Sequence, residues 1–155
     1  MFTTPEVPLH LDRAKGFALL SNTVHGINIA VGDLERWTRH YEQVMGVVST
    51  PVAEEGFAFP GMRGSSFNLS GFMLNLITSD DPTTSVGRFL ARNGDGFFLL
   101  SLAVDDIDIA GRHLRTQGVE PLLETAVRGA GHLPVNFVHP KAMAGVQIEL
   151  IEVPR

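Results

Sequence analysis

Residues 26–34 read Gly-Ile-Asn-Ile-Ala-Val-Gly-Asp-Leu, and residues 99–107 read Leu-Leu-Ser-Leu-Ala-Val-Asp-Asp-Ile. A shift of 73 positions lays Ala30 on Ala103, Val31 on Val104, Asp33 on Asp106, Leu34 on Ile107, Arg39 on Arg112 and His40 on His113. Each copy is an apolar strand followed by an acidic helix start, about three helical turns and a glycine stop (Gly46, Gly118). Punctuation and pattern recurring together over some twenty positions argue for two similar modules within one fold.

Outward from these copies the elements follow. Residues 23–31 form the first strand, with Ile27, Ile29 and Val31 on one face and Gly26, Asn28 and Ala30 on the other. Asp33 caps a helix whose stripe is Leu34, Trp37, Tyr41, Val44 and Met45. Strands are expected over 47–52, 57–59, 65–69 and 72–78, the last two joined through Ser70-Gly71. A short helix spans 85–92. The second module repeats the plan, with a strand over 97–104, a helix over 107–117, strands over 119–124, 133–138 and 146–153, and a turn over 128–132. The order β-α-β-β-β, taken twice, makes the fold class α+β, with two βαβββ modules. The domain boundaries are an N-terminal extension 1–22 and a single domain 23–153, made of module one (23–80), a linker helix (81–94) and module two (95–153).

The 155 residues, 44% hydrophobic and 19% charged, suit one ordinary globular domain. A formal charge of −5 without a basic cluster speaks against nucleic acid or an anionic membrane as partner. No cysteine is present, so thiolate chemistry and sulfur ligation are excluded. No leader or membrane-length apolar run is read in the chain, and a cytoplasmic protein is expected.

On these residues the chain resembles the vicinal oxygen chelate superfamily, which includes glyoxalase I, extradiol dioxygenases, bleomycin resistance proteins and methylmalonyl-CoA epimerase. The epimerase branch is the nearest in motif. The resemblance is carried by 29–34, by Ser85-Val86-Gly87-Arg88-Phe89-Leu90, by Gly94-Asp95-Gly96 leading into 103–107, and by His139-Pro140-Lys141 before Gly145-Val146-Gln147-Ile148-Glu149-Leu150. It implies the glyoxalase-like fold, in which the two βαβββ modules pair into one curved mixed sheet whose concave side holds the active site, and it implies a homodimer and one divalent metal. The implied ligand positions fall on Gly26, Leu99, Asn75 and Glu149. Glycine and leucine offer no side-chain donor, and strand alternation turns the neighbouring His25 to the opposite face. A metal-free site with no cofactor is therefore expected.

The same alternation gives the concave face Gly26, Asn28, Met73, Asn75, Leu99, Ser101, Gln147 and Glu149 as substrate-binding or catalytic candidates. A carboxylate in such a cavity has its pKa raised by desolvation, which prepares Glu149 as an acid or base. The resemblance places a second glutamate at Glu54; separately, the turn that carries Gly131 and Leu133 sets His132 at the cavity mouth. Three functions are consistent with this set. One is a metal-independent isomerase, epimerase or cyclase acting on a carbonyl-containing small molecule, such as a natural-product tailoring step. Another is a ligand-sequestering protein of the bleomycin-resistance kind. The last is a metal-dependent epimerase or glyoxalase-like lyase.

Overall fold

The computed structural model describes Leu20 and residues 23–154; the expected extension 1–22 lies, apart from Leu20, outside the described residues. The strands are β1 (Thr23–Ala30), β2 (Thr50–Val52), β3 (Arg63–Leu69), β4 (Phe72–Thr78), β5 (Gly96–Val104), β6 (Val127–Arg128), β7 (Pro134–Val138) and β8 (Ile148–Glu152). The helices are α1 (Leu34–Met45), α2 (Ser85–Asn93) and α3 (Ile107–Thr116). All eight strands join one curled mixed sheet in the order β2-β3-β4-β1-β5-β8-β7-β6. That order reads the same from either end once the two modules are exchanged. At its centre β1 and β5 pair antiparallel, and each pairs parallel with the last strand of its own module, β4 and β8.

The helices form where capping and periodicity dictate. Asp33 accepts from the Arg36 amide at 3.1 Å, and Asp106 accepts from the Asp108 and Ile109 amides at 2.9 Å. Each thereby satisfies amide donors that a helix start leaves open. Gly46 closes α1 in the left-handed conformation, at φ 65°. Helix α3 lays Ile107, Ala110 and Leu114 on Ile148, Leu150 and Val138, and α1 lays Leu34 on Phe67 and Leu76. These clusters cover the convex side of the sheet. Asp95 ties the modules together, accepting from the Gly32 amide at 2.8 Å and the Trp37 indole N–H at 2.9 Å. No helix among the described residues is long and apolar enough to cross a membrane.

Three of the expected strands differ. Residues 119–124 are not a strand: Pro121 has no amide to donate, and buried Asn136 holds Leu123 by side chain, donating to its carbonyl at 2.9 Å and accepting from its amide at 3.1 Å. The second strand of module two is instead the short β6, inside the region expected to turn. The strand expected over 47–52 shrinks to Thr50–Val52, because the Ser49 amide and hydroxyl donate to the Glu42 carboxylate at 3.0 and 2.7 Å. Residues 57–59 make no ladder. Phe57 packs beside Met62 and Ile77, and Phe59 lies against Phe137 with ring centres 5.9 Å apart, so this loop crosses the concave side.

Candidate active site

The concave side holds a cavity of about 700 Å3. Its floor is built from alternating sheet residues: Asn28 of β1, Met73 and Asn75 of β4, Leu99 of β5, and Gln147 and Glu149 at β8. The loop from Phe57 to Met62 forms the roof, and the start of α2, with Thr84, Ser85 and Arg88, forms one rim. Phe98, Leu133 and Phe137 supply an apolar wall. The size suits a small organic ligand, and a mostly apolar wall with a few convergent polar groups is the usual composition of such a site.

Glu149 is the carboxylate of this cavity floor. Its neighbour across the parallel pairing is Ser101, whose hydroxyl donates to Glu149 Oε1 at 2.7 Å. Burial pushes the Glu149 carboxyl above its ordinary range, and the Ser101 bond offsets part of that rise. Asn28 and Asn75 are paired across β1 and β4, and Asn75 Nδ2 donates to Asn28 Oδ1 at 2.9 Å. That bond fixes the Asn28 amide and leaves its own N–H donors for a ligand.

The alternation argument fails where β1 and β5 slip in register, once at His25 and once at Phe98, which lines the cavity beside Leu99. β1 carries a bulge against β5: Val24 pairs with Leu102 and Gly26 with Ser101, so His25 has no partner of its own. A bulge disrupts the ladder locally and re-aims a side chain. His25 therefore lines the cavity alongside Asn28, contrary to the expectation that it faces away. Burial lowers its pKa below the ordinary histidine value. The signal lay in the sequence: an isolated glycine inside a strand marks a bulge or a close backbone approach. Gly26 is both, since a Cβ there would meet the Met73 carbonyl oxygen at 1.9 Å. It lets β1 and β4 approach and is not among the residues lining the cavity.

The remaining candidates divide. Ser101 is buried beneath Glu149 and acts through it. Glu54 is exposed and does not line the cavity; its carboxylate accepts from the Gly61 amide at 3.0 Å and so ties the ends of the roof loop. His132 is exposed, with a left-handed φ of 59°, and its carbonyl accepts from Arg128 at 3.1 Å; its neighbour Gly131 reaches the cavity instead.

The donors present do not fit the metal site implied by the resemblance. Leu99 and Gly26 bring no donor atom, the Asn75 amide nitrogen is engaged with Asn28, and one Glu149 oxygen is engaged with Ser101. Among the described residues no three His, Cys, Asp or Glu side chains converge, whereas divalent sites are built from three or four protein donors.

Fold and cavity together define a class. The family model of the Glyoxalase/Bleomycin resistance protein/Dioxygenase superfamily matches residues 25–137, and the chain belongs to that superfamily. Within it, the chain is 32% identical over 130 residues to the mitochondrial methylmalonyl-CoA epimerase of Mus musculus, covering 80% of this chain and 69% of that protein. The crystal structure of methylmalonyl-CoA epimerase from Mycobacterium tuberculosis superposes with a TM-score of 0.77 at 30% identity, over 92% of this chain and 96% of that one. A variant of the Streptomyces coelicolor methylmalonyl-CoA epimerase in complex with 2-nitronate-propionyl-CoA superposes at 0.75 and 26% identity, over 87% and 99%. The sheet is thus the glyoxalase-like fold expected from the resemblance.

Proposed function

We propose that this protein is an acid/base isomerase, most specifically an epimerase, acting on a carbon that bears an exchangeable hydrogen next to a thioester carbonyl. The observation that carries the reading is Glu149, its pKa raised, on the floor of a cavity where its polar neighbours on the floor are the amides of Asn28, Asn75 and Gln147. The substrate class follows from the methylmalonyl-CoA epimerases this chain resembles. Glu149 exchanges a proton with the carbon, and general acid/base catalysis of this kind contributes about 10²–10⁴ in rate. As the C–H pair moves toward the carbonyl, negative charge grows on its oxygen. The Asn28 amide, oriented by Asn75, donates to that oxygen, and such a donor is worth about 3 kcal/mol. No metal enters this scheme. Glu54 serves as a positioning residue for the roof loop. The domain is taken as residues 23–153, working as a cytoplasmic homodimer.

The test is incubation of one C2 epimer of methylmalonyl-CoA with the protein in D2O, followed by NMR. The wild-type chain is expected to form the other epimer with deuterium at C2, and Glu149→Gln to slow this by at least about 100-fold. Tight binding of the thioester with no exchange would instead identify a sequestering protein.

A further inference from the structure

We propose that His25 is the second acid/base group of this site, working from the side of the substrate carbon opposite Glu149. The assignment rests on the epimerase reading above. An epimerase must remove hydrogen from one side of a carbon and return it to the other, and one carboxyl reaches one side only. Two carboxylates line the cavity: Glu149 on the floor, and Asp81 at the α2 rim, where the Thr83 amide and hydroxyl donate to it at 2.8 and 2.7 Å; Glu54 lies outside. His25 is the remaining lining residue beside the amide pair that can exchange a proton near neutral pH.

Two observations place it. Gly26, Ser101 and Glu149 stand in one cross-strand row, running from β1 through β5 to β8. At two strand spacings, the backbones at Gly26 and Glu149 are roughly 10 Å apart. The bulge turns His25, next to Gly26, into the cavity, so its imidazole and the Glu149 carboxyl enter from the two ends of that row. Between such ends there is room for one substituted carbon, while Asn28 lies on the same strand as His25 and meets the carbonyl. Second, among the described residues no hydrogen bond holds the His25 ring, whereas every other polar group of the floor named above except Gln147 is bonded to a neighbour. Its nitrogens remain available to a ligand.

The step balances. A neutral His25 nitrogen takes the C2 proton, and the C–H electron pair passes into an enolate whose oxygen is held by Asn28. Glu149 then delivers its proton to the opposite face. His25 is left protonated and Glu149 ionised, and a turnover in the reverse direction, or exchange with water, restores both.

Stereospecific exchange tests this. Each C2 epimer of methylmalonyl-CoA is incubated separately in D2O with wild type, His25→Gln and His25→Ala, after thermal unfolding has shown which variants fold. For His25→Gln, inversion is expected to fall at least about 100-fold. The epimer whose hydrogen faces Glu149 should still take up deuterium with retained configuration, and the other should exchange nothing. Added imidazole should restore inversion to His25→Ala. Inversion by His25→Gln within about threefold of wild type overturns the assignment of His25 while leaving the epimerase reading intact. Loss of exchange from both epimers in a folded variant also overturns it, because the effect is then not confined to one face. Wild-type protein that exchanges neither epimer removes the epimerase reading, and this assignment with it.

Discussion

Glu149 carries opposite consequences for chemistry and for stability. Burial raises its folded pKa above the unfolded one. Between those two values the native chain holds a proton that the unfolded chain has released, so stability falls as pH climbs through that window. At neutral and higher pH the ionised carboxylate therefore costs stability. Glu149→Gln keeps the size and an acceptor for Ser101 without the charge. It is expected to raise the thermal midpoint at pH 8 by a few degrees, with the gain shrinking to nothing below the ordinary carboxyl value of 4.5. Calorimetry across that range checks it, and a variant that is less stable at pH 8 would contradict the buried-acid account. His25 works with the opposite slope. Its neutral form is favoured by burial, so its share of stability is complete above 6.5 and is lost as pH falls through its folded value. At this scale the sequence revealed Glu149, Asn28 and Asn75, because simple alternation places them. His25 escapes the alternation, because a local slip in register changes a residue's facing and no periodicity registers it; only Gly26 marks the place.

At the scale of elements, local signals read true where the bonds are local. Asp33, Asp106, Thr84 and Gly46 mark helix ends by bonding within a turn of themselves. Residues 119–124 read falsely because their backbone partner is a side chain thirteen positions away. Asn136 stands in for a strand there, and Leu122 donates to the Phe137 carbonyl at 2.8 Å. Removing that amide leaves an N–H and a C=O of Leu123 without partners. Asn136→Leu should destabilise the chain by about 2 kcal/mol, and hydrogen exchange at Leu123 should quicken more than at the centre of β5. Uniform exchange at both places would show that the clamp is not what orders the segment. The roof loop is held in a similar way, by the Glu54 carboxylate on the Gly61 amide. Glu54→Ala should raise KM for methylmalonyl-CoA several-fold with little change in kcat, because the loop covers the ligand without touching the reacting carbon. A loss confined to kcat would return Glu54 to the chemistry.

The whole molecule is a repeat, and the repeat argues most directly about metal. The implied ligand positions Gly26 and Leu99 are separated by 73 residues, the same interval that relates Asp33 to Asp106. Both are thus one place in the module, taken twice, and they flank the central β1–β5 pairing, where Gly26 faces Ser101 and Asn28 faces Leu99. Losing both symmetric donors removes the two that would grip an ion from either module. Gly26 is moreover held as glycine by its approach to Met73, and Leu99 is 3% exposed within a cluster with Val135, Phe137 and Ile151. Those packing roles are incompatible with restoring a histidine at either position without moving β4 or opening that cluster. His25, Glu149 and Asn28 line the cavity, and the proposed reaction asks only proton transfer and a neutral donor of them. Activity toward methylmalonyl-CoA is accordingly expected to stay within about twofold after exhaustive dialysis against EDTA, and added Co2+, Mn2+ or Zn2+ should leave the thermal midpoint unmoved. A ligand that binds only the native state must raise that midpoint, so a metal-induced rise, joined to a tenfold loss of rate on chelation that the metal reverses, would place an ion between His25 and Glu149 and assign Asn28 a lesser part.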